Sequence, residues 1–551
     1  MKWTKMAITG ILCFAWLLPC LNTADPAFAE PAIVDSHSVK VIASFEEGVD
    51  QTYDNGAGRW APHFWTTAAP TYTYAHADVP SGIAWWGKIN SAWDPPQTDN
   101  VNWWNTLGDK NGGNNGYSDV IYQLHIPGQT NYENWSIYEQ LRIKWFAGNP
   151  DDTRVNMQVF AYTQATGRWV DLGYRTGTRD TVYTTDLSLN TMTAAEKQKV
   201  SHLLFRTFNT WIPAGNDYNH FQRTHLFSIK AVTASPPAKS ATLGGYTWDS
   251  KFLGTLLHRS YGTYSATGFY DPEIGKYRLW FGSGIPEANG SDNVYYAEND
   301  TMQGDWSNPV RTTLEHFGIL KPYNQAPGWG GDPSVLKIGS QYVMYFSGIK
   351  NEDPYWNRIY RAVSDDGVNW TLSPKTPVVD AATGGAAGYG SGSPSVIYKD
   401  GTYYMYYYSQ FEQPDRGGTY LRTSTDGIHF SSWTALNADF GGADVKYADS
   451  LGKWILIDYR DKNQDFQGEE AGIRYAVSSD GINFTYNHDN SFKLAQDDSA
   501  VINHNPGFIG TPTGHANQEL YVTYGINQLP LNAVPYEYQT RQLGYSSLRI
   551  Y

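Results

Sequence analysis

The 551-residue sequence predicts an all-β chain of two unlike halves, an antiparallel β-sandwich followed by a five-bladed β-propeller. Three observations predict it. Aromatic residues make up 15% of the chain against only 17% charged, and 53 glycines accompany them, a composition suited to strands, tight turns and stacking surfaces. Runs in the first half alternate with period two. The second half repeats one hairpin signature about five times.

The same composition excludes other classes. A formal charge of −14 with no basic stripe argues against nucleic-acid binding. The chain is too rich in aromatics for a disordered segment or a coiled coil. Beyond the first 30 residues no apolar stretch reaches the roughly 20 residues of a membrane span.

Taken in order, residues 1–29 read as a secretory signal. Lys2 and Lys5 form a positive start, Met6 to Leu18 an apolar run, and Ala27-Phe28-Ala29 a cleavage site. The expected location is therefore extracellular or cell-envelope. Cys13 and Cys20, the only cysteines, fall inside this piece, so the remainder offers no thiol, disulfide or cysteine metal site. Residues 30–232 hold strand-like runs at Val41–Phe45, Leu141–Phe146 and Val155–Tyr162, with a short helix near Thr193–His202. The small, Pro-containing stretch Thr233–Ser240 reads as a linker, and residues 241–551 as the propeller.

The repeat carries that second assignment. Asp332 precedes Tyr342 by ten residues, and the spacing recurs from Ser393 to Tyr403, Asp444 to Trp454 and Thr267 to Tyr277, with a looser copy opening at Asn505. The openings stand 65, 61, 51 and 61 residues apart. After three of these hairpins comes a strand, an Asp-Gly pair and an aromatic: Asp366-Gly367 to Trp370, Asp426-Gly427 to Phe430, Asp480-Gly481 to Phe484. Each pair predicts a type I′ hairpin into a fourth strand. Four strands per repeat and five repeats describe a five-bladed propeller.

In that architecture the residue opening each innermost strand faces the mouth of the central channel. The five openings are Thr267, Asp332, Ser393, Asp444 and Asn505, and the Asp-Gly turns belong to the opposite face as turn residues. Asp332 and Asp444 would meet across the funnel, or else cap neighbouring strand amides. Glu412 follows Tyr406–Phe411, an apolar wall able to raise a carboxyl pKa toward general-acid range. Glu287, Glu352, Asp353, Asp415, Glu469 and Glu470, in loops on the same face, read mostly as solvated charges. Facing carboxylates suit glycosidic cleavage, at roughly 6.5–9.5 Å when water is activated and about 5–5.5 Å for direct attack. Trp329, Tyr389 and Trp356 lie where they could stack on a sugar or pack the rim.

Gly331-Asp332-Pro333-Ser334-Val335 and its echo Ser393–Tyr404 resemble the five-bladed propeller glycoside hydrolases, family 43 most of all. The resemblance implies a base Asp, an Asp that tunes the acid, and an acid Glu at successive strand openings. Here the openings run Thr267, Asp332, Ser393, or Asp332, Ser393, Asp444, and neither count completes the set. Thr513-Gly514-His515 is similar to a segment that places a histidine beside an axial cation, which implies a structural calcium or sodium near His515, with nearby His504 the rival histidine. No cofactor is required for the chemistry. The Ser-x-Asp-Gly turns faintly resemble sialidase Asp boxes, without an arginine triad. Phe45-Glu46-Glu47 and Phe227–Lys230 resemble carbohydrate-binding jelly rolls, where a calcium is implied and Lys230 stands in place of a carboxylate. Trp85, Trp86, Trp93, Trp103 and Trp104 would form a stacking platform or core.

The expectation is a secreted glycoside hydrolase acting on a plant or microbial polysaccharide or its oligosaccharides, with arabinosides, xylosides or fructosides implied by the resemblance. Asp332 is the expected base, Asp444 the acid or electrostatic partner, and Glu412 the reserve acid. Thr267 and Ser393, standing where acids would be, favour the other possibility of a noncatalytic glycan-binding propeller. A lyase or transglycosylase on the same scaffold is the third.

Overall fold

The computed structural model describes residues 38–44, 62–63, 103–107, 117–124, 132–148, 155–177, 181–209, 221–234, 236–258, 263–284, 292–303, 306, 309–314, 329–350, 356–380, 389–413, 416–437, 442–460, 472–486, 502–527 and 542–551. Residues 1–29, Phe45–Glu47, Trp85, Trp86 and Trp93 lie outside them, as do Glu287, Glu352, Asp353, Asp415, Glu469 and Glu470. The described chain is all-β. Among the described residues no helix is long and apolar enough to cross a membrane, which says nothing of β-barrels.

Two antiparallel sheets face each other in the first half. One orders Thr181–Ser188, Gln140–Gly148, Phe221–Thr233 and Ser38–Ser44, and Trp103–Leu107 also pairs with Phe221–His225. The other orders Pro62–His63, Tyr117–Gln123, Val200–Asn209, Val155–Thr163 and Arg168–Gly177. Period-two alternation decides what each strand buries. Leu141, Ile143 and Trp145 meet Met157, Val159 and Ala161 in a shared core, while Arg142 turns outward to a two-pronged pair with Asp186 at 2.8 and 2.9 Å. Lys40 breaks the pattern. It is buried, and its ammonium lies 2.7 Å from the buried Glu133 carboxylate.

Two boundaries differ from expectation. The helix covers only Ala194–Lys197, capped by Thr193 and Glu196 in a reciprocal capping box. Val200 onward is drawn into a central strand instead, because its β-branched and apolar side chains fill the core. The linker shrinks to residues 234–237, since Thr233 ends one strand and Ala238–Leu243 forms another.

Among the described residues the second half forms five antiparallel blades of four strands. Their innermost strands are Thr263–Asp271, Trp329–Ile338, Ser391–Lys399, Asp444–Ala448 and Ile502–Gly510, here numbered blades 1 to 5. Each packs beside the next, and the fifth returns to the first through Gly268 and Ile509, so the ring closes. Blades 2 and 4 each add a short parallel strand, and blades 1 and 5 join in one continuous sheet. The outermost strand of blade 5 is Tyr246–His258, from the beginning of the region, paired with Gln542–Ile550 from its end. Joining both ends of the propeller region in one blade holds the ring shut. The same strand touches Ser38–Ser44 at Val39 and Gly254. Gly254 has φ 109°, and a Cβ there would lie 1.8 Å from the Val39 carbonyl oxygen.

The three Asp-Gly turns lie at the ends of blades 2, 3 and 4 away from Asp332. They are not two-residue type I′ turns. Between the last pairs Val363–Thr371 and Ser478–Phe484 the loops are longer, wound around the aspartate. Asp366 Oδ1 accepts from the amides of Val368 and Asn369, both at 2.8 Å, and Ser364 Oγ accepts from the Gly367 amide at 2.9 Å. The same bonds recur around Asp426 and Asp480. The glycine carbonyl of each turn then takes a donor from the preceding blade: Trp280 Nε1 to Gly367 at 2.7 Å, Tyr345 Oη to Gly427 at 2.8 Å, Tyr406 Oη to Gly481 at 2.9 Å. These turns are inter-blade latches.

Candidate active site

Each inner strand of blades 1, 2, 3 and 5 opens with a bulge, where register jumps between Tyr264 and Thr267, Gly331 and Ser334, Gly392 and Ser395, and His504 and Gly507. The first bulged residue has a positive φ in every case: Ser265 49°, Asp332 47°, Ser393 49°, Asn505 40°. In blade 4, Gly442 has φ 67° at the same place. The ring at the channel mouth is therefore Ser265, Asp332, Ser393, Gly442 and Asn505.

This corrects two expected members. Thr267 and Asp444 lie two residues further along, in the layer of Ser334, Ser395 and Gly507. The reason is hairpin length. Blades 2 and 3 turn over two residues, Gly339-Ser340 and Asp400-Gly401, whereas blades 1 and 4 turn over four, Pro272–Gly275 and Asp449–Gly452. A fixed ten-residue count thus lands two residues too deep in the longer hairpins. The residue after each ring position carried the better signal. It is Pro333, Pro394 and Pro506 in three blades and Ala266 and Ala443 in the others.

Asp332 is the one carboxylate of the ring. It is buried, and five neutral donors converge on it. Oδ1 accepts from Ser265 Oγ at 2.6 Å and Asn505 Nδ2 at 3.4 Å. Oδ2 accepts from Ser347 Oγ at 3.0 Å, Tyr389 Oη at 3.1 Å and Ser393 Oγ at 3.3 Å. Blades 1, 2, 3 and 5 thus each contribute a bond. Desolvation, with the adjacent Asp332 charge, holds the Tyr389 phenol well above its ordinary pKa, so it remains a donor.

Asp444 is engaged one layer down. Ser395 Oγ donates to Oδ1 at 2.5 Å, Lys446 Nζ to Oδ1 at 2.6 Å, and the Phe508 amide to Oδ2 at 2.7 Å. The carboxylate ties blade 4 to blades 3 and 5 and has an ammonium counter-charge. Ring and second layer together line an axial pocket open to solvent, with Ser265, Thr267, Asp332, Ser393, Gly442 and Asp444 on its walls.

The aromatic wall above the ring includes residues the sequence did not single out. The Trp329 ring and the Tyr264 hydroxyl both crowd Gly331, beside Asp332. Tyr264 and Tyr459 pack edge-on against His504, next to Asn505. Desolvation pushes the His504 imidazole down to about 4, which leaves it neutral at pH 7. Trp356 packs edge-on against Phe411 at 5.3 Å.

Two candidates sit elsewhere. Glu412 accepts from Tyr407 Oη at 2.6 Å and from Arg422 at 2.8 Å, a partly buried ion pair within blade 3 and not among the contacts of the ring. His515 lies at the opposite end of the channel. The Thr511–Ala516 turn of blade 5 crosses beneath the pocket, where Pro512 accepts from the Lys337 amide of blade 2 and Thr513 from the Tyr398 amide of blade 3. His515 itself pairs beside Tyr447 of blade 4. At about 3.3 Å per residue, that floor lies roughly 15 Å below Asp332. His515 Nε2 donates to the Tyr398 carbonyl at 3.1 Å, and Nδ1 lies 2.6 Å from Asp449. Both ring nitrogens face protein partners. Among the described residues, no group of three or more His, Cys, Asp or Glu is placed to hold a metal ion.

No family model matches the chain, and no curated protein matches it. Solved structures of low similarity do. The catalytic domain of a family 62 α-L-arabinofuranosidase from Coprinopsis cinerea is 13% identical, with 57% of this chain and 97% of that chain covered and a TM-score of 0.41. An α-L-arabinofuranosidase from Podospora anserina, solved with cellotriose, is 11% identical over the same shares with a TM-score of 0.41. A family 117 glycoside hydrolase from Zobellia galactanivorans is 12% identical over 57% of this chain and 90% of that chain, with a TM-score of 0.36.

Proposed function

We propose that the axial pocket binds one sugar unit of an oligosaccharide or polysaccharide and that the protein is a glycoside hydrolase working from Asp332. The observation that carries this is a buried carboxylate on the propeller axis, oriented by hydroxyl and amide donors from four blades at the wall of an open pocket. Bond lengths indicate how it engages substrate. Ser265 at 2.6 Å is the firm anchor, whereas Ser393 at 3.3 Å and Asn505 at 3.4 Å are the longest contacts and yield most easily to a sugar hydroxyl or a water. The released lone pair is where Asp332 takes a proton from water or fixes a substrate hydroxyl. The pocket opens to solvent, and Trp329, which crowds Gly331, and Tyr389, which donates to Asp332, are the aromatic faces nearest the carboxylate for a sugar ring to meet. The sandwich supplies a carbohydrate-binding module, residues 1–29 direct export, and pentosides or fructosides are the expected substrates.

The test is a product assay. The protein lacking residues 1–29 is incubated with arabinan, arabinoxylan, xylan and levan, and released sugar is resolved beside Asp332→Asn. Release that disappears in the variant supports hydrolysis. A second reading, sugar binding without cleavage, is favoured by one specific observation: Asp444 and Glu412 are both committed to cationic partners. No release from any polymer, with retention on a polysaccharide column, would establish that reading instead.

A further inference from the structure

Charge is distributed unevenly around the axial pocket. Every group that touches Asp332 is a neutral donor, and no ion pair to it exists among the described residues. The second pocket carboxylate, Asp444, is neutralised by Lys446, whose side chain is 4% exposed. No lysine, arginine or histidine lines the pocket among the described residues; its walls are Ser, Thr, Ala, Pro, Gly and the two aspartates. The whole chain is acidic as well, at −14. Among the described residues, therefore, the Asp332 carboxylate has no counter-ion at the wall of this partly desolvated pocket.

We infer that the pocket selects its sugar by charge: it accepts a neutral ring, favours one bearing an ammonium group, and refuses a uronate. This rests on the sugar-binding reading above and narrows it to a substrate class. A carboxylate brought into van der Waals range of Asp332 meets a like charge in a site where water screens poorly, and none of the described wall residues compensates it. An ammonium gains from the same field. Neutral donors on Asp332 spread its charge without cancelling it, so the preference persists when the pocket is empty of other ligands. Surface charge cannot supply this selectivity, because exposed groups are screened within about 8 Å at physiological salt.

Isothermal titration of the protein lacking residues 1–29 tests the inference. The probes are D-glucose, D-glucuronate and D-glucosamine, and the matching galacto series, at about pH 6, where the amine is protonated and the uronate ionised. In a series whose neutral sugar binds, the uronate should bind at least about tenfold more weakly and the amino sugar more tightly, with little change between 0.15 M and 1 M salt. Tenfold corresponds to about 1.4 kcal/mol. Asp332→Asn, checked for folding by circular dichroism, should draw the three affinities together. A uronate that binds wild type as tightly as its neutral partner overturns the inference while leaving sugar binding intact. If no sugar binds in either series, the inference that the pocket selects a single ring by charge is overturned; if in addition no polysaccharide column retains the protein, the sugar-binding reading falls as well.

Discussion

Ser265 Oγ donates to Asp332 Oδ1 at 2.6 Å across 67 residues of sequence, so the shortest bond to the pocket carboxylate comes from the neighbouring blade. Neither residue could hold this geometry alone. Both sit in left-handed bulges, at φ 49° and 47°, and the bulges aim the two side chains at each other.

Ser265→Ala should therefore reduce both stability and function. Loss of a hydrogen bond to a charged acceptor costs roughly 1.5–3 kcal/mol of stability, read as a lower melting temperature. We expect kcat/KM on the active polymer, measured well below that midpoint, to fall about tenfold or more, with the circular dichroism spectrum of the folded protein unchanged. A wild-type rate would show that Asp332 does not depend on blade 1.

Asp332→Asn should lower sugar release by at least about a hundredfold, the lower limit for a lost acid–base group. Unchanged turnover would remove Asp332 from the chemistry. Glu412→Gln is the control at the other carboxylate. Its pair with Arg422 lies within blade 3, so the expected loss is in thermal midpoint, and a loss of kcat without one would restore Glu412 as the acid.

The latch bonds should contribute separately. Tyr345→Phe and Tyr406→Phe each remove a donor to a glycine carbonyl in the next blade, at a cost of about 1 kcal/mol in urea unfolding. Because the two bonds lie at different blade interfaces, the double variant should lose close to the sum. Strong non-additivity would mean the blades are coupled through more than these contacts.

Gly514 is the residue that the floor turn cannot replace. It has φ 81°, and a Cβ would lie 2.7 Å from the Val396 carbonyl oxygen. Gly514→Ala should cost on the order of 1–3 kcal/mol, read as a lower melting temperature. An unchanged melting temperature would mean that the floor shifts without penalty.

Acid should unfold the propeller through its turns. Hydrogen bonds from His429 hold Asp426 well below the usual carboxylate range, and those from Asn483 do the same for Asp480; at Asp366 burial opposes, but the amides of Asn369 and Val368 prevail. In the sandwich, the bond from Arg168 leads in lowering Glu196 to about 2. All four folded pKa values are depressed. Their stabilisation is complete above the unfolded values of about 3.9 for Asp and 4.3 for Glu, and it is lost as pH falls below them. Urea midpoints should fall steadily from about pH 4 downward, and Asp480→Asn should flatten that slope. A midpoint independent of pH in this range would contradict the assignment.

What the sequence determined by itself was periodicity and the number of repeats. Alternation placed Leu141, Ile143 and Trp145 in the sandwich core, and the repeated hairpins gave five blades, because a strand's inward face is written every second residue. It also placed Asp332, Ser393 and Asn505 together at the mouth. Tertiary structure decided the rest. Whether a hairpin turns over two residues or four cannot be read from a ten-residue spacing, and that difference moved Thr267 and Asp444 out of the ring and brought Ser265 and Gly442 into it. Nor does sequence show what a carboxylate will touch. The Ser395 hydroxyl and the Phe508 amide reach Asp444 only because three blades converge there, whereas Lys446, two residues along the same strand, meets it by local alternation; Arg422 reaches Glu412 only across two paired strands. Local sequence sets which way a side chain points; closure of the ring sets what it meets, since bonds between blades join residues many tens of positions apart.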